Sequence, residues 1–273
     1  MFFVPRKGGV RMFKDAKRLV VKVGSSTLTH ESGLLNIRRV EKLVKILSDI
    51  KNSGLEVILV SSGAVATGFG KLGLIDRPAG MPPKQAAAAI GQCELMYLYD
   101  KLFGEYNHKV AQILLTREDI ETPHRKQKLV ATFAQLLQWR VLPVVNENDS
   151  VATDEIEIGD NDTLSAIVAQ LTGADSLVLM SDIDGLYTAN PRTDPCAKLI
   201  ARVDRIDDYI RSLGGGSGSR RGTGGMATKI AAAEIAAGSG IQMAIINGEN
   251  PDLLYELLAG EAVGTYFASE VEM

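Results

Sequence analysis

Apolar positions along this chain follow two alternating rhythms. Short, β-branched runs at residues 19–23, 56–60, 110–115, 141–145, 176–180 and 242–246 have the length and character of buried strands. Between them, apolar residues recur at three- and four-residue steps, the period of a helix with one buried face. The clearest case carries Ile37, Val40, Leu43, Val44, Leu47 and Ile50, and Asn52-Ser53-Gly54 stops it. Further helices are predicted over 84–103, 125–139, 163–171, 226–237 and 252–258. Ala86 to Ala89 favour the first of these strongly, and Met96 to Tyr99 on it read as core or subunit contact. Residues 68–83, rich in Gly and Pro, read as an irregular connection.

Strands alternating with helices predict an α/β fold: a mainly parallel sheet with helices on both faces. Five strands end in small or polar residues: Gly24-Ser25, Ser61-Ser62-Gly63, Asn146 to Asp149, Ser181-Asp182 and Asn247-Gly248. In such a sheet these ends gather on one edge, where open α/β folds hold ligands. The densest group is Asn146-Glu147-Asn148-Asp149, followed by Gly159-Asp160-Asn161-Asp162 at the start of a helix. Asp162 or Thr163 is expected to cap that helix. We read the rest of this acidic, amide-rich knot as a site. Gly63 lets backbone approach either a ligand or a packed helix.

Length and composition keep this picture within one soluble class. The chain has 273 residues, 45% hydrophobic and 23% charged, with net charge −3 and a pI of about 5.7. Neither nucleic acid nor an acidic membrane surface is an expected partner. No apolar run spans a bilayer. Cys93 and Cys196 lie far apart without CxxC spacing, which suggests a reducing, cytoplasmic setting and no zinc site. Residues 1–18 carry Arg6, Lys7, Arg11, Lys14, Lys17 and Arg18 without the apolar centre of a secretory signal. They are expected to be a flexible basic leader before one domain over 19–273.

Two lysines are out of place. Lys22 interrupts a buried strand, a costly position unless it meets an anion or, as a snorkelling edge residue, water. Lys229 stands at the start of a predicted helix, where the macrodipole disfavours a cation. The stretch Gly222-Thr-Gly-Gly-Met-Ala-Thr-Lys229 is not a Walker A. It does offer backbone N–H groups leading into a helix, an anion cradle. Lysines, glycines and carboxylates together point to phosphoryl transfer from a magnesium nucleotide. His30, His108 and His124 form no constellation around a hydroxyl acceptor. A carboxylate acceptor, ionised with a pKa of roughly 4, needs no base. Asp149 or Asp162 could still serve as one, so this leans toward an acyl phosphate without deciding it.

Several motifs, in order, resemble the amino acid kinase family: Val-Val-Lys22-Val-Gly-Ser-Ser, Ser-Ser62-Gly-Ala, Val-Asn-Glu-Asn-Asp149, Gly-Asp-Asn161-Asp162, Ser-Asp182-Ile-Asp-Gly-Leu-Tyr and Gly-Thr223-Gly-Gly-Met-Ala-Thr-Lys229. The resemblance implies a three-layer αβα sandwich and transfer from ATP, with Mg²⁺, to the γ-carboxylate of L-glutamate, giving L-glutamyl 5-phosphate. It implies that Lys22 and Lys229 hold the ATP phosphates and that Asp162 orients them. By the same resemblance Ser62, Asp149 and Asn161 bind glutamate. Ser181 and Asp182 lie against the nucleotide, with Thr223, Gly224, Gly225, Met226, Ala227, Thr228 and Lys229 as its phosphate-side loop. A homo-oligomer and feedback inhibition by proline are implied as well. Many family members continue into a C-terminal PUA domain, whereas this sequence stops at Met273.

Rival acceptors within the family are N-acetylglutamate, aspartate, a carbamate and uridine monophosphate. The last would want an arginine-lined pocket, and the Asn/Asp cluster suits an ammonium group better. A different class is a non-catalytic amino-acid sensor on the same fold, for which Lys22, Asp162 and Lys229 would be dispensable.

Overall fold

A computed structural model of the chain describes residues 13–74, 78–151, 160–215 and 225–269. Strand β1 (Arg18–Val23) leads through the short α1 (Ser25–Leu28) into α2 (Ile37–Asn52). Next come β2 (Glu56–Ser61), α3 (Ala64–Lys71) and α4 (Met81–Gly104). β3 (Val110–Leu115), α5 (Arg117–Glu121) and α6 (Pro123–Gln138) precede β4 (Leu142–Glu147). After α7 (Asn161–Thr172) and β5 (Ser176–Ser181) lie β6 (Arg202–Val203) and α8 (Asp208–Ser212). The chain continues through α9 (Met226–Gly238), β7 (Gln242–Asn247), α10 (Leu253–Ala259) and β8 (Thr265–Phe267).

The strands form one sheet in the order β3-β4-β2-β1-β5-β7-β8-β6. Every pairing is parallel except β7 with β8. Helices cover both faces. One layer joins α2, α4 and α10 to Leu19, Val21 and Val23; the other joins α6, α7 and α9 to Val20, Ile58 and Val60. Successive side chains of a strand point to opposite faces, so Lys22 shares the α7–α9 face with Val20. The register sets Val23 beside Ser61 on one side and Met180 on the other. The polar strand ends therefore do gather along one edge, with β1 at its centre.

Several boundaries differ from expectation. Gly68 lies inside α3, and α4 starts at Met81 with Pro82 and Pro83 in its first turn. Proline is tolerated there because the first helical N–H groups have no intrahelical partner. Strands β6 and β8 and helices α1, α5 and α8 are too short for a periodic signal and were not anticipated. Phe13, within the stretch expected to be a leader, is 1% exposed and packs edge-on against Tyr266. The packed core thus reaches back to Phe13.

Candidate active site

Lys22 is 8% exposed, so its charge must be answered inside the protein. Its Nζ lies 2.6 Å from Asp162 Oδ1. Lys229 Nζ lies 2.9 Å from Oδ2 of the same carboxylate. One fully buried aspartate thus bridges two ammonium groups more than 200 residues apart in sequence. Lys22 is no snorkelling edge residue, because β1 is a central strand.

The start of α7 makes this possible. Asp160, rather than Asp162 or Thr163, is the N-cap: its Oδ1 accepts from the backbone N–H of Asp162 at 2.6 Å and of Thr163 at 2.9 Å. That leaves the Asp162 side chain available to the lysines, and it corrects the expected cap. Asp162 stands in the first turn, where the helix dipole favours a carboxylate. Burial alone would push its carboxyl up; the ammonium groups of Lys22 and Lys229 reverse that and hold it at about 2. Burial raises the Asp160 carboxyl instead, a shift that the Thr163 N–H opposes and the charge of Asp162 reinforces. Thr228 Oγ1, 2.9 Å from Asp162 Oδ2 and 2.8 Å from Gly225 O, ties the start of α9 to that of α7. Ser165 Oγ donates to the Asp162 carbonyl at 2.6 Å.

Two helix N-termini and two lysines therefore converge on one carboxylate, leaving a local excess of positive charge suited to phosphate oxygens. Gly225, Met226 and Ala227 begin α9 beside this cluster; Thr223 and Gly224 lie outside the described residues. At the end of β5, Ser181 Oγ donates to Asp182 Oδ1 at 3.3 Å, and Asp182 Oδ2 accepts from Arg192 at 2.6 Å. Burial would raise the Asp182 carboxyl, but Arg192 and then Lys229 hold it below the usual range. Arg192 was not anticipated, because its loop reads only as a pair of turns. Among the described residues no group of three or more acidic, His or Cys side chains could hold a metal.

The amide cluster lies across the edge, at the ends of β2 and β4. Asn161 Nδ2 donates to Ser62 Oγ at 2.8 Å and to Asn146 Oδ1 at 3.0 Å. Asn161 Oδ1 is buried without a hydrogen-bond partner among the described residues. Gly63 turns the chain from β2 into α3 at φ +98°, a left-handed conformation that favours glycine. An added Cβ there would make only ordinary contacts, so conformation rather than space demands the glycine. Asp149 sits just past β4 and lines a cavity of about 370 Å³ with Ala64, Gln92, Glu147 and Asn148. The sequence places Asn146 in the knot read as a site without giving it a role of its own, and it does not single out Gln92, which carries no local signal. Of the aromatic residues singled out on α4, Tyr99 is core and bonds Ser61 at 2.8 Å, whereas Tyr97 is exposed. None of the three histidines joins the Lys22–Asp162–Lys229 cluster: His30 and His124 are exposed, and the ring of His108 meets Ser48 O.

Known proteins share both the fold and the sequence. A T. acidophilum isopentenyl phosphate kinase superposes with a TM-score of 0.65 at 18% identity, covering 92% of this chain and 100% of that one. A UMP kinase from Bacillus anthracis gives 0.63 at 17%, covering 93% and 97%. Identities this low speak for the fold alone. Much more similar are the glutamate 5-kinase of Clostridium perfringens, 51% identical over 95% of this chain and 98% of its own, and that of Clostridium tetani, 54% identical over 93% and 95%. The glutamate 5-kinase of Listeria innocua is 49% identical over 95% of both chains. Residues 17–247 match the amino acid kinase family, and with these relatives alongside, the chain belongs to that family, among its glutamate 5-kinases.

Proposed function

We propose that this protein transfers the γ-phosphoryl group of ATP to the γ-carboxylate of L-glutamate, giving ADP and L-glutamyl 5-phosphate, the first step of proline synthesis. The observation that carries the reading is the single buried carboxylate of Asp162 holding Lys22 and Lys229 together at the sheet edge. A carboxylate oxygen of glutamate attacks the γ-phosphorus, and the bond to the bridging oxygen breaks with ADP as the leaving group. No proton moves, which suits a cluster without an attached histidine. The work left to the protein is positioning and charge neutralisation.

Lys22 and Lys229 neutralise the migrating phosphoryl, and Asp162 keeps both ammonium groups aimed at it. The N-terminus of α9, with Thr223 to Thr228, cradles the nucleotide phosphates, and Ser181 and Asp182 flank the nucleotide. Mg²⁺ adds charge neutralisation on the phosphates. Ser62, Asn161 and Asp149 grip the amino acid, with the unpartnered Asn161 Oδ1 and the Asp149 carboxylate suited to its ammonium group. The exposed, unpaired Cys93 and Cys196 support a reducing, cytoplasmic setting. Among the described residues no helix is long and apolar enough to cross a membrane. Family resemblance supports self-association and inhibition by proline as parts of the same reading.

Acyl phosphates are trapped by hydroxylamine, so an ATP-dependent hydroxamate assay over a panel of acceptors tests the proposal. L-glutamate is expected to give product while aspartate and N-acetylglutamate give little. ATP binding with no hydroxamate from glutamate would sink it.

A further inference from the structure

An amide side chain can face either way round, offering a ligand its carbonyl or its NH₂. In this cleft a backbone group dictates the choice. The Glu147 N–H, which can only donate, points at Asn146 Oδ1 from 2.9 Å. The same oxygen receives Asn161 Nδ2. Asn146 Nδ2 must then face the other way, toward α4, where Gln92 Oε1 accepts it at 2.9 Å. Asn161, its NH₂ committed to Asn146 and Ser62, is left with only its carbonyl oxygen unpartnered. The order Gln92–Asn146–Asn161–Ser62 thus has one direction.

We propose that Gln92 is a positioning residue that sets acceptor specificity. The Glu147 N–H sets the sense of the relay, and the Gln92 oxygen keeps Asn146 seated in it by accepting its NH₂, so that the ligand meets an acceptor, selecting a free ammonium group over an acylated or missing nitrogen. The inference rests on reading Asn161 as a contact to the amino acid. Gln92 is well placed for the task. At the preceding residue, Gly91, α4 lies so close to α3 that an added Cβ would fall 1.8 Å from Ala64 O. Ala64 itself follows Ser62-Gly63, so Gln92 is carried on a rigid joint beside the site, on the wall of the cavity that Asp149 also lines. Asn146 is 1% exposed, and without Gln92 its outward NH₂ would be a buried donor lacking an acceptor. The relief open to it is a shift or turn that pulls Oδ1 away from Asn161.

The test compares Gln92→Met, of similar length but with no comparable acceptor, with Gln92→Glu, which keeps an acceptor oxygen. Each is assayed at saturating MgATP for KM of L-glutamate and for Ki of glutarate, the analogue without the nitrogen, as a competitor. Loss of a buried donor's partner predicts that Gln92→Met raises the glutamate KM about tenfold, with turnover and the KM for ATP nearly unchanged. The glutarate Ki should move much less, so the preference for glutamate falls by about the same factor, and Gln92→Glu should restore most of it. Gln92→Leu is measured alongside, so that a poorly folding variant does not decide the matter. Unchanged preference in the apolar variants that fold, or an equal loss for both ligands, overturns the proposal. Asn161→Ala separates the layers. If it too leaves the glutamate KM untouched, the site reading fails; if it raises KM while Gln92→Met does not, only the role of Gln92 fails.

Discussion

At the scale of single residues, the centre of this protein is a charge arrangement that neither lysine could sustain alone. Lys229 near the start of α9 opposes the helix dipole, and Lys22 interrupts an apolar strand; Asp162 answers both. On the proposed mechanism, replacing Lys229 by Ala removes one of two cations that would neutralise the migrating phosphoryl, while leaving the amide cluster at Ser62 and Asn161 intact. Turnover should fall about a hundredfold or more, with the KM for glutamate within about threefold, since the change is confined to transition-state interactions. Steady-state kinetics decide this, and undiminished turnover would remove Lys229 from the mechanism. Both lysines were legible in the sequence because a cation in a strand core or at a helix start is a local misfit. Asp162 as their shared partner needed the family resemblance, and Gln92 escaped notice because an amide on a helix surface violates no local rule.

At the scale of elements, the joint between α3 and α4 shows how a sequence signal can be read backwards. Gly68 and Gly70, followed by Gly73, Gly80 and three prolines, suggest an irregular connection over 68–83. In the structure the helical glycines serve close approach: a Cβ on Gly68 would sit 1.8 Å from Ala87 O, and one on Gly91 1.8 Å from Ala64 O. Local sequence cannot distinguish a glycine that breaks a helix from one that lets two helices touch, because the partner backbone is remote. The distinction has a measurable consequence. In an exposed helix Gly91→Ala would add roughly 1 kcal/mol of stability through propensity. Here the backbone clash should outweigh that and cost about 2 kcal/mol or more. Urea unfolding measures the sign, and a stabilised variant would contradict the close packing. Helix α7 is a second case: its existence was plain, but which residue capped it was not, since Asp160, Asp162 and Thr163 are all chemically able.

At the scale of the whole molecule, the buried charge cluster ties stability to acidity. The Asp162 carboxyl, held at about 2, ionises below the ordinary value of 3.8. A depressed carboxyl contributes stability in full above the unfolded value, and the contribution is lost as pH falls from about 4 toward 2. Asp162→Asn strips two buried ammonium groups of their counter-ion and should cost about 3 kcal/mol or more at neutral pH. The gap between wild type and variant should then narrow as pH drops below 4. Denaturant unfolding at pH 7, 4 and 3 checks it; a gap constant with pH would show that the carboxylate's charge is not what holds the lysines.

Alternating strand and helix periods were enough to establish an α/β fold with helices on both faces of the sheet, and the polar strand ends marked the edge that carries the candidate site. Both follow from local physics: a strand buried on both faces must be apolar along its length, and only its end can afford polar groups. What lay beyond the sequence was decided by packing between distant segments. The antiparallel β8 with its neighbour β6, the burial of Phe13 against Tyr266 and the direction of the Gln92–Asn146–Asn161 relay are all of this kind. Each depends on which backbone or side chain arrives opposite a given atom, and that is settled only when the layers close.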